Sequence, residues 1–259
     1  MAESEDYNAE NEDYKRRGGE TEITGDDVAG DEGLLEIEIP AARYGDGKVA
    51  TAQDSDLIAG NIKKDVVIFG VTGTAEASVI HEAVFFPKTA GDDGGLVAGS
   101  LTTSSDWISI GKDAGGSPRN TFLRFAAVTI PADATITECF VRFTAYCAAN
   151  NTTVRLNCYF NNHDNAVAPA DATAYGTLSL TAAISWDSLA AWADGTQYDT
   201  PELKTILQTV IDRDGWAEDQ AVMVVINNDD GDNNASRAAS GYDYASAAEL
   251  AELHVKWTE

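Results

Sequence analysis

Apolar side chains are nearly absent from the first 33 residues, then alternate with polar ones, then recur in short runs to the end of the chain. The earliest pattern is LLEIEIP at 34–40, where Leu35, Ile37 and Ile39 alternate with Glu36 and Glu38. Successive side chains of a strand point to opposite faces, so this is a strand with one wet face. RYGDGK at 43–48 follows as a turn, its glycines supplying positive φ. In SDLIAGNIKKDVVIFGVTGT, residues 55–74, a short turn leads into an apolar strand that stops in Gly-Val-Thr-Gly-Thr. So few strands are marginal alone, so the module at 34–78 needs a neighbour: a copy of itself, the rest of the chain or a larger assembly. Residues 1–33 read as an acidic arm, disordered unless docked, because they bury too little apolar surface to offset ordering entropy.

From residue 79 the runs shorten and the turns become regular. VIHEAVFF, WISIG, TFLRFAAVTIP, ATITECFVRFTAYC, TTVRLNCYF, QAVMVVIN and AELHVKW all read as strands. Cys139, Val141, Phe143, Ala145 and Cys147 share one face, as do Val154, Leu156, Cys158 and Phe160. One helix interrupts at TPELKTILQTVIDRDGW, with Thr200 as N-cap and Pro201 at the first helical position. Leu203, Ile206, Leu207, Val210 and Ile211 form its apolar stripe, and Gly215 lies where a C-terminal stop belongs. Many short strands and one packed helix predict an all-β fold, a jelly-roll β-sandwich over 79–259.

Charge narrows the function classes. The 259 residues carry a formal charge of −26, a field that repels phosphate backbones and anionic lipid, so nucleic-acid and membrane-surface roles are disfavoured. No apolar stretch approaches the ~20 residues that span a bilayer. The acidic N-terminus lacks the apolar core of a secretory signal, which predicts synthesis in a cytoplasm and exit, if any, within a particle released by lysis. Cys139, Cys147 and Cys158 have neither zinc spacing nor an even count. They read as buried thiols, with a Cys147–Cys158 bridge across a hairpin as the alternative.

The ordered series Ile130-Pro131 to Ile136, Thr200-Pro201 and Gly215-Trp216, closing on AELHVKW, resembles DNRLRE-type and carbohydrate-binding-module-like jelly rolls over roughly residues 80–259. The stretch NIKKDVVIFGVTGT resembles a short module of tailed-phage virion proteins, with Asp65 where glycine is usual and a different turn therefore expected. These resemblances imply a structural, non-catalytic virion-surface protein, a capsid decoration or short fibre or tail-associated subunit. Its residues 1–78 would dock on phage capsid or tail proteins, and a homo-oligomer, trimeric in the simplest case, would cover the small module. The alternative they imply is an adhesion module that recognises a host surface glycan.

Candidate chemistry is sparse. His81, His163 and His254 show no ligand spacing, and GDGK at 45–48 lacks the spacing of a phosphate-binding loop. No nucleophile motif is present, and carboxylate pairs are too common in so acidic a chain to single one out. Asp229, Asp230 and Asp232 in NNDDGDNNASR offer hard oxygen ligands of the kind calcium takes, yet without the order of an EF-hand, and turn preference explains the run equally well. TAGDDGG at 89–95 is a weaker version. Trp186, Trp192, Tyr242 and Tyr244 are the aromatics that could stack on sugar rings. Packing beneath the helix is the favoured role for both tryptophans, while Gly241 suggests a mobile loop carrying an exposed tyrosine pair.

Overall fold

The structure, a computed structural model, describes residues 28–31, 34–39, 48–53, 55, 57–149, 153–187, 189–244 and 249–259. The chain divides into two units, Met1–Ser78 and Val79–Glu259.

In the first unit, β1 (Val28–Asp31), β2 (Leu34–Ile39) and β3 (Lys48–Gln53) form an antiparallel sheet in the order β1-β2-β3. Most of the predicted arm, residues 1–27 and 32–33, and the turn at 43–47 lie outside the described residues. Residues 28–31 are strand rather than arm, because VAGD pairs with β2, Val28 opposite Ile37. A 3-10 turn at Ala59–Asn61 then precedes the hairpin of β4 (Val67–Ile68) and β5 (Val71–Thr72). The apolar run is thus bent double rather than extended. Phe69 (φ 49) and Gly70 (φ 83) supply the two left-handed residues that a type I′ turn requires. Asp65 adopts φ 65, so the residue standing in for glycine keeps a glycine-like backbone. Gly73 is needed for a different reason: a Cβ there would lie 2.2 Å from the Lys63 carbonyl oxygen. Ile62 and Val71 are buried, while Val66, Val67, Ile68 and Phe69 are all exposed.

The second unit contains β6 (Ile80–Phe85), β7 (Asp93–Val97), β8 (Ser100–Thr102), β9 (Trp107–Lys112), β10 (Pro118–Val128) and β11 (Thr135–Thr144). There follow β12 (Arg155–Phe160), a short helix α1 (Ala172–Gly176), β13 (Ile184–Asp187), β14 (Gln197–Asp199), α2 (Lys204–Ile211), β15 (Gln220–Asn228), β16 (Ser236–Ser240) and β17 (Glu252–Thr258). One sheet runs β14-β11-β17-β6, and the other runs β13-β12-β15-β10-β7-β8, with β9 bridging β10 and β16. Setting aside β7, β8, β9 and β16, the strands read β6-β17-β11-β14 against β10-β15-β12-β13, all antiparallel. The chain passes from sheet to sheet at every step except β12 to β13. That is the double Greek key of a jelly roll.

The space between the sheets is filled from both sides. Cys139, Val141 and Phe143 of β11 and Leu253, Val255 and Trp257 of β17 meet Phe125, Leu156, Phe160, Val224 and Ile226. Helix α2 closes one side with Ile206, Leu207, Val210 and Ile211. β15 is apolar without a break from Ala221 to Ile226 because its second face is covered too: Phe122, Met223 and Val225 pack beneath Tyr175 of α1, Leu178 and Leu180.

The helix begins later than its capping pattern predicts. Thr200 instead extends the β14–β11 ladder: its N–H donates to the Val141 carbonyl at 2.9 Å, and its Oγ1 accepts the Val141 N–H at 3.0 Å. Glu202 Oε1 accepts the N–H groups of Cys139 and Lys204, so it caps α2 and satisfies the sheet edge together. The helix ends at Asp212, and Gly215 serves a close approach, since a Cβ would lie 2.2 Å from Asp164 Oδ2. Helix α1 escapes the sequence pattern because its five residues, Ala-Thr-Ala-Tyr-Gly, are too few to show a stripe; Asp171 caps it by accepting the Ala174 N–H at 2.8 Å. All three cysteines are free. Cys139 and Cys158 are buried as expected, whereas Cys147 lies past the end of β11, is exposed and makes no bridge.

Candidate functional site

The residues singled out by sequence do not assemble into one site. Trp186 and Trp192 are buried, the former stacked 6.2 Å from Phe143 and the latter 5.0 Å from Tyr198, so neither offers an open ring face. Asp229, Asp230 and Asp232 occupy the turn from β15 to β16. There Asp230 (φ 50) is exposed and pairs with Lys112 at 2.7 Å, and Asp232 accepts the Thr153 N–H at 3.2 Å. Among the described residues no three His, Cys, Asp or Glu side chains come together as metal ligands. The acidic run has the turn geometry that its Asp and Asn content favours. Gly241 is a close-packed position rather than a loop tip. Its N–H donates to Asp106, and a Cβ would meet the Ser105 carbonyl at 2.6 Å. Tyr242 and Tyr244 are half-buried beside it.

That packing leads to a cleft of about 170 Å³ enclosed by the β7–β8 hairpin, the connection at 103–106, the start of β9 and Arg119 of β10. The hairpin turns on Ala98 (φ 49) and Gly99 (φ 82), again the type I′ pair. Gly94 lets β7 lie against the sheet, since a Cβ would come within 2.8 Å of the Phe122 ring. Adjacent Asp92 and Asp93 point to opposite faces of the chain and have different fates. Asp92 pairs with Arg124 at 2.6 Å and accepts the N–H groups of Lys88 and Thr89. Asp93 is 3% exposed, lines the cleft, accepts the Tyr242 N–H at 2.8 Å and has no ion-pair partner among the described residues. Burial, with Asp243 and Asp92 nearby, pushes its carboxyl up to about 6 despite the Tyr242 N–H.

Trp107 also lines the cleft and is 44% exposed, unusual for so large an apolar ring. It is seated by stacking on Tyr146 at 5.3 Å, and Tyr244 supports Tyr146 edge-on at 5.1 Å. Arg119, half-buried at the start of β10, pairs through its backbone with Val97 of β7 and Gly111 of β9. Its Nε is buried with no acceptor among the described residues. Such an orphan donor costs about 1–3 kcal/mol and calls for a partner. Thr102, Thr103, Ser105 and Ser109 complete the walls. The arrangement combines a flat ring, an acceptor, a donor and hydroxyls around one opening.

A larger depression, about 280 Å³, lies on the outer face of the β6–β17–β11 sheet. Lys256 is paired there with Glu138 at 3.0 Å, His254 Nε2 lies 2.6 Å from Glu252 while stacked on Phe140 at 4.7 Å, and Glu82 is exposed to solvent. The smaller cleft is lined by the residues whose buried polar groups lack such partners and is therefore the candidate site.

Sequence reasoning missed Trp107, Arg119 and Tyr146. Trp107 opens WISIG, which reads only as a strand, and Arg119 follows the polar stretch GKDAGGSP without a motif. Asp93 carried a signal, the doubled aspartate of TAGDDGG, but one that pointed to calcium.

No family model matches the chain, and no curated protein matches it. Among solved structures, it is similar to one described as carbohydrate-binding modules from the β-sandwich superfamily. That likeness has a TM-score of 0.25 and 10% identity over 87% of this chain and 72% of that chain. At that score it carries no weight, and the jelly-roll assignment rests on strand order.

Proposed function

We propose that residues 79–259 are a non-catalytic glycan-binding module, held out on a larger assembly by residues 1–78. The observation that carries this reading is the exposed Trp107 sharing one cleft with buried Asp93, which has no ion-pair partner among the described residues, and with Arg119, whose Nε has no acceptor among them. An aromatic face with a few convergent polar groups is the composition of a small-ligand site. The assembly is a tailed-phage virion, with the chain as a capsid decoration or short fibre or tail-associated subunit that contacts a host surface polysaccharide. Support for that setting is the resemblance of residues 61–74 to phage virion modules, together with the charge of −26.

A second reading, purely architectural, is favoured by the consecutive exposed Val66, Val67, Ile68 and Phe69. An apolar run presented on a hairpin suits burial against capsid or tail protein, or against further copies of the chain in a trimer.

Titration calorimetry of the full chain against soluble oligosaccharides separates the two. Glycan binding predicts that Trp107→Ala weakens affinity by ~30-fold, about 2 kcal/mol, as for aromatic anchors of interfaces. The same variant is expected to melt within a few degrees of the parent. Unchanged affinity in Trp107→Ala, or no binding to any oligosaccharide, would leave the architectural reading in place.

A further inference from the structure

Resting on the glycan-binding reading, we infer that the ligand of the cleft is an uncharged sugar presenting adjacent hydroxyls to Arg119 and Asp93. A guanidinium only donates hydrogen bonds, and an ionised carboxylate only accepts them. Both groups line the cleft. The Arg119 Nε has no acceptor, and Asp93 has its Oδ2 on the Tyr242 N–H and no ion-pair partner among the described residues. Arg119 and Asp93 line one space without bonding each other, so the donor and the acceptor they offer there are complementary to a group that does both. A sugar hydroxyl is such a group. One hydroxyl accepts from Arg119, its neighbour donates to Asp93, and the apolar face of the ring lies on Trp107.

Charge decides between sugar classes. A uronate would set Arg119 against Asp93, with Asp92 and Asp243 close by, inside a chain with 43 acidic and 17 basic residues. An amino sugar would suit Asp93 but bring a like charge to Arg119. A neutral ring meets both without either conflict.

The test uses the full chain and hexasaccharide pairs that differ in charge alone: oligogalacturonate and its methyl ester, and the chitosan hexamer and its N-acetylated form. In each pair that binds, the neutral member is expected to be tighter by about tenfold or more, and Arg119→Gln is expected to lower neutral affinity by a similar factor. The ligand pairs need no variant, so a folding defect in Arg119→Gln does not blur the result. Tighter binding of a charged member, or neutral affinity untouched by Arg119→Gln in a folded protein, would overturn the inference and leave glycan binding standing. No binding of any hexasaccharide would overturn both.

Discussion

Replacing Arg237 by methionine is expected to destabilise the protein by about 3–5 kcal/mol. Arg237 is 1% exposed, and its guanidinium donates to the carbonyls of Ala190 at 2.8 Å, Leu189 at 3.0 Å and Ser236 at 3.0 Å. Methionine fills much of the volume but leaves those acceptors facing an apolar side chain, each a loss of about 1–3 kcal/mol before relaxation. Lysine is no remedy, because a single ammonium cannot reproduce a planar fork of donors. The damage is not local. Arg237 lies opposite Ile110 in the β16–β9 pair and reaches the segment that leads to buried Trp192, so it ties the ribbon carrying Trp107 to the core. Thermal melts should show a midpoint lower by about 6–20 °C, at roughly 2–4 °C per kcal/mol for a chain of this size. A midpoint within a degree or two of the parent would show that the clasp contributes little.

Asp93→Asn is expected to act in the opposite direction. The folded-state carboxyl lies near 6 against an ordinary 3.8, so between those values the folded protein keeps a proton that the unfolded chain has lost. Stability of the parent therefore falls as pH rises through that window, and the full cost, about 3 kcal/mol at ~1.36 kcal/mol per pKa unit, is present above it. Asparagine carries no charge to bury and can still accept the Tyr242 N–H. Urea melts should find the variant more stable at pH 7 by about 2–3 kcal/mol, the difference shrinking as pH falls from 6 toward 4. A variant that is less stable at pH 7, or a difference independent of pH, would contradict the burial argument. A carboxylate kept at such a cost is characteristic of a functional position, where activity and stability compete.

The fold was far more legible than the site, and the reason is periodicity. Cys139, Val141 and Phe143 alternate cleanly because one face of β11 meets the core, and the unbroken AVMVVI of β15 marks a strand covered on both faces. Residue patterns report burial. They do not report which strands part from which, and the cleft exists because the insertion of β7, β8 and β9 between β6 and β10 places Asp93, Trp107 and Arg119 around one opening. The tryptophans visible as a motif, Trp186 and Trp192, are visible because they are core residues. The exposed Trp107 looked like one more strand residue. The capping signal at Thr200 misled for a related reason: its hydroxyl is spent on the edge of β11, a partner some 60 residues away that no local pattern contains.

Hydroxyl-radical footprinting of the full chain, with and without a saturating neutral hexasaccharide, tests the central claim most directly. Protection concentrated at Trp107, residues 102–109 and Tyr242 is the result the cleft predicts. Protection at Phe140 and His254 on the outer sheet face, with Trp107 left as reactive as in the free protein, would contradict it.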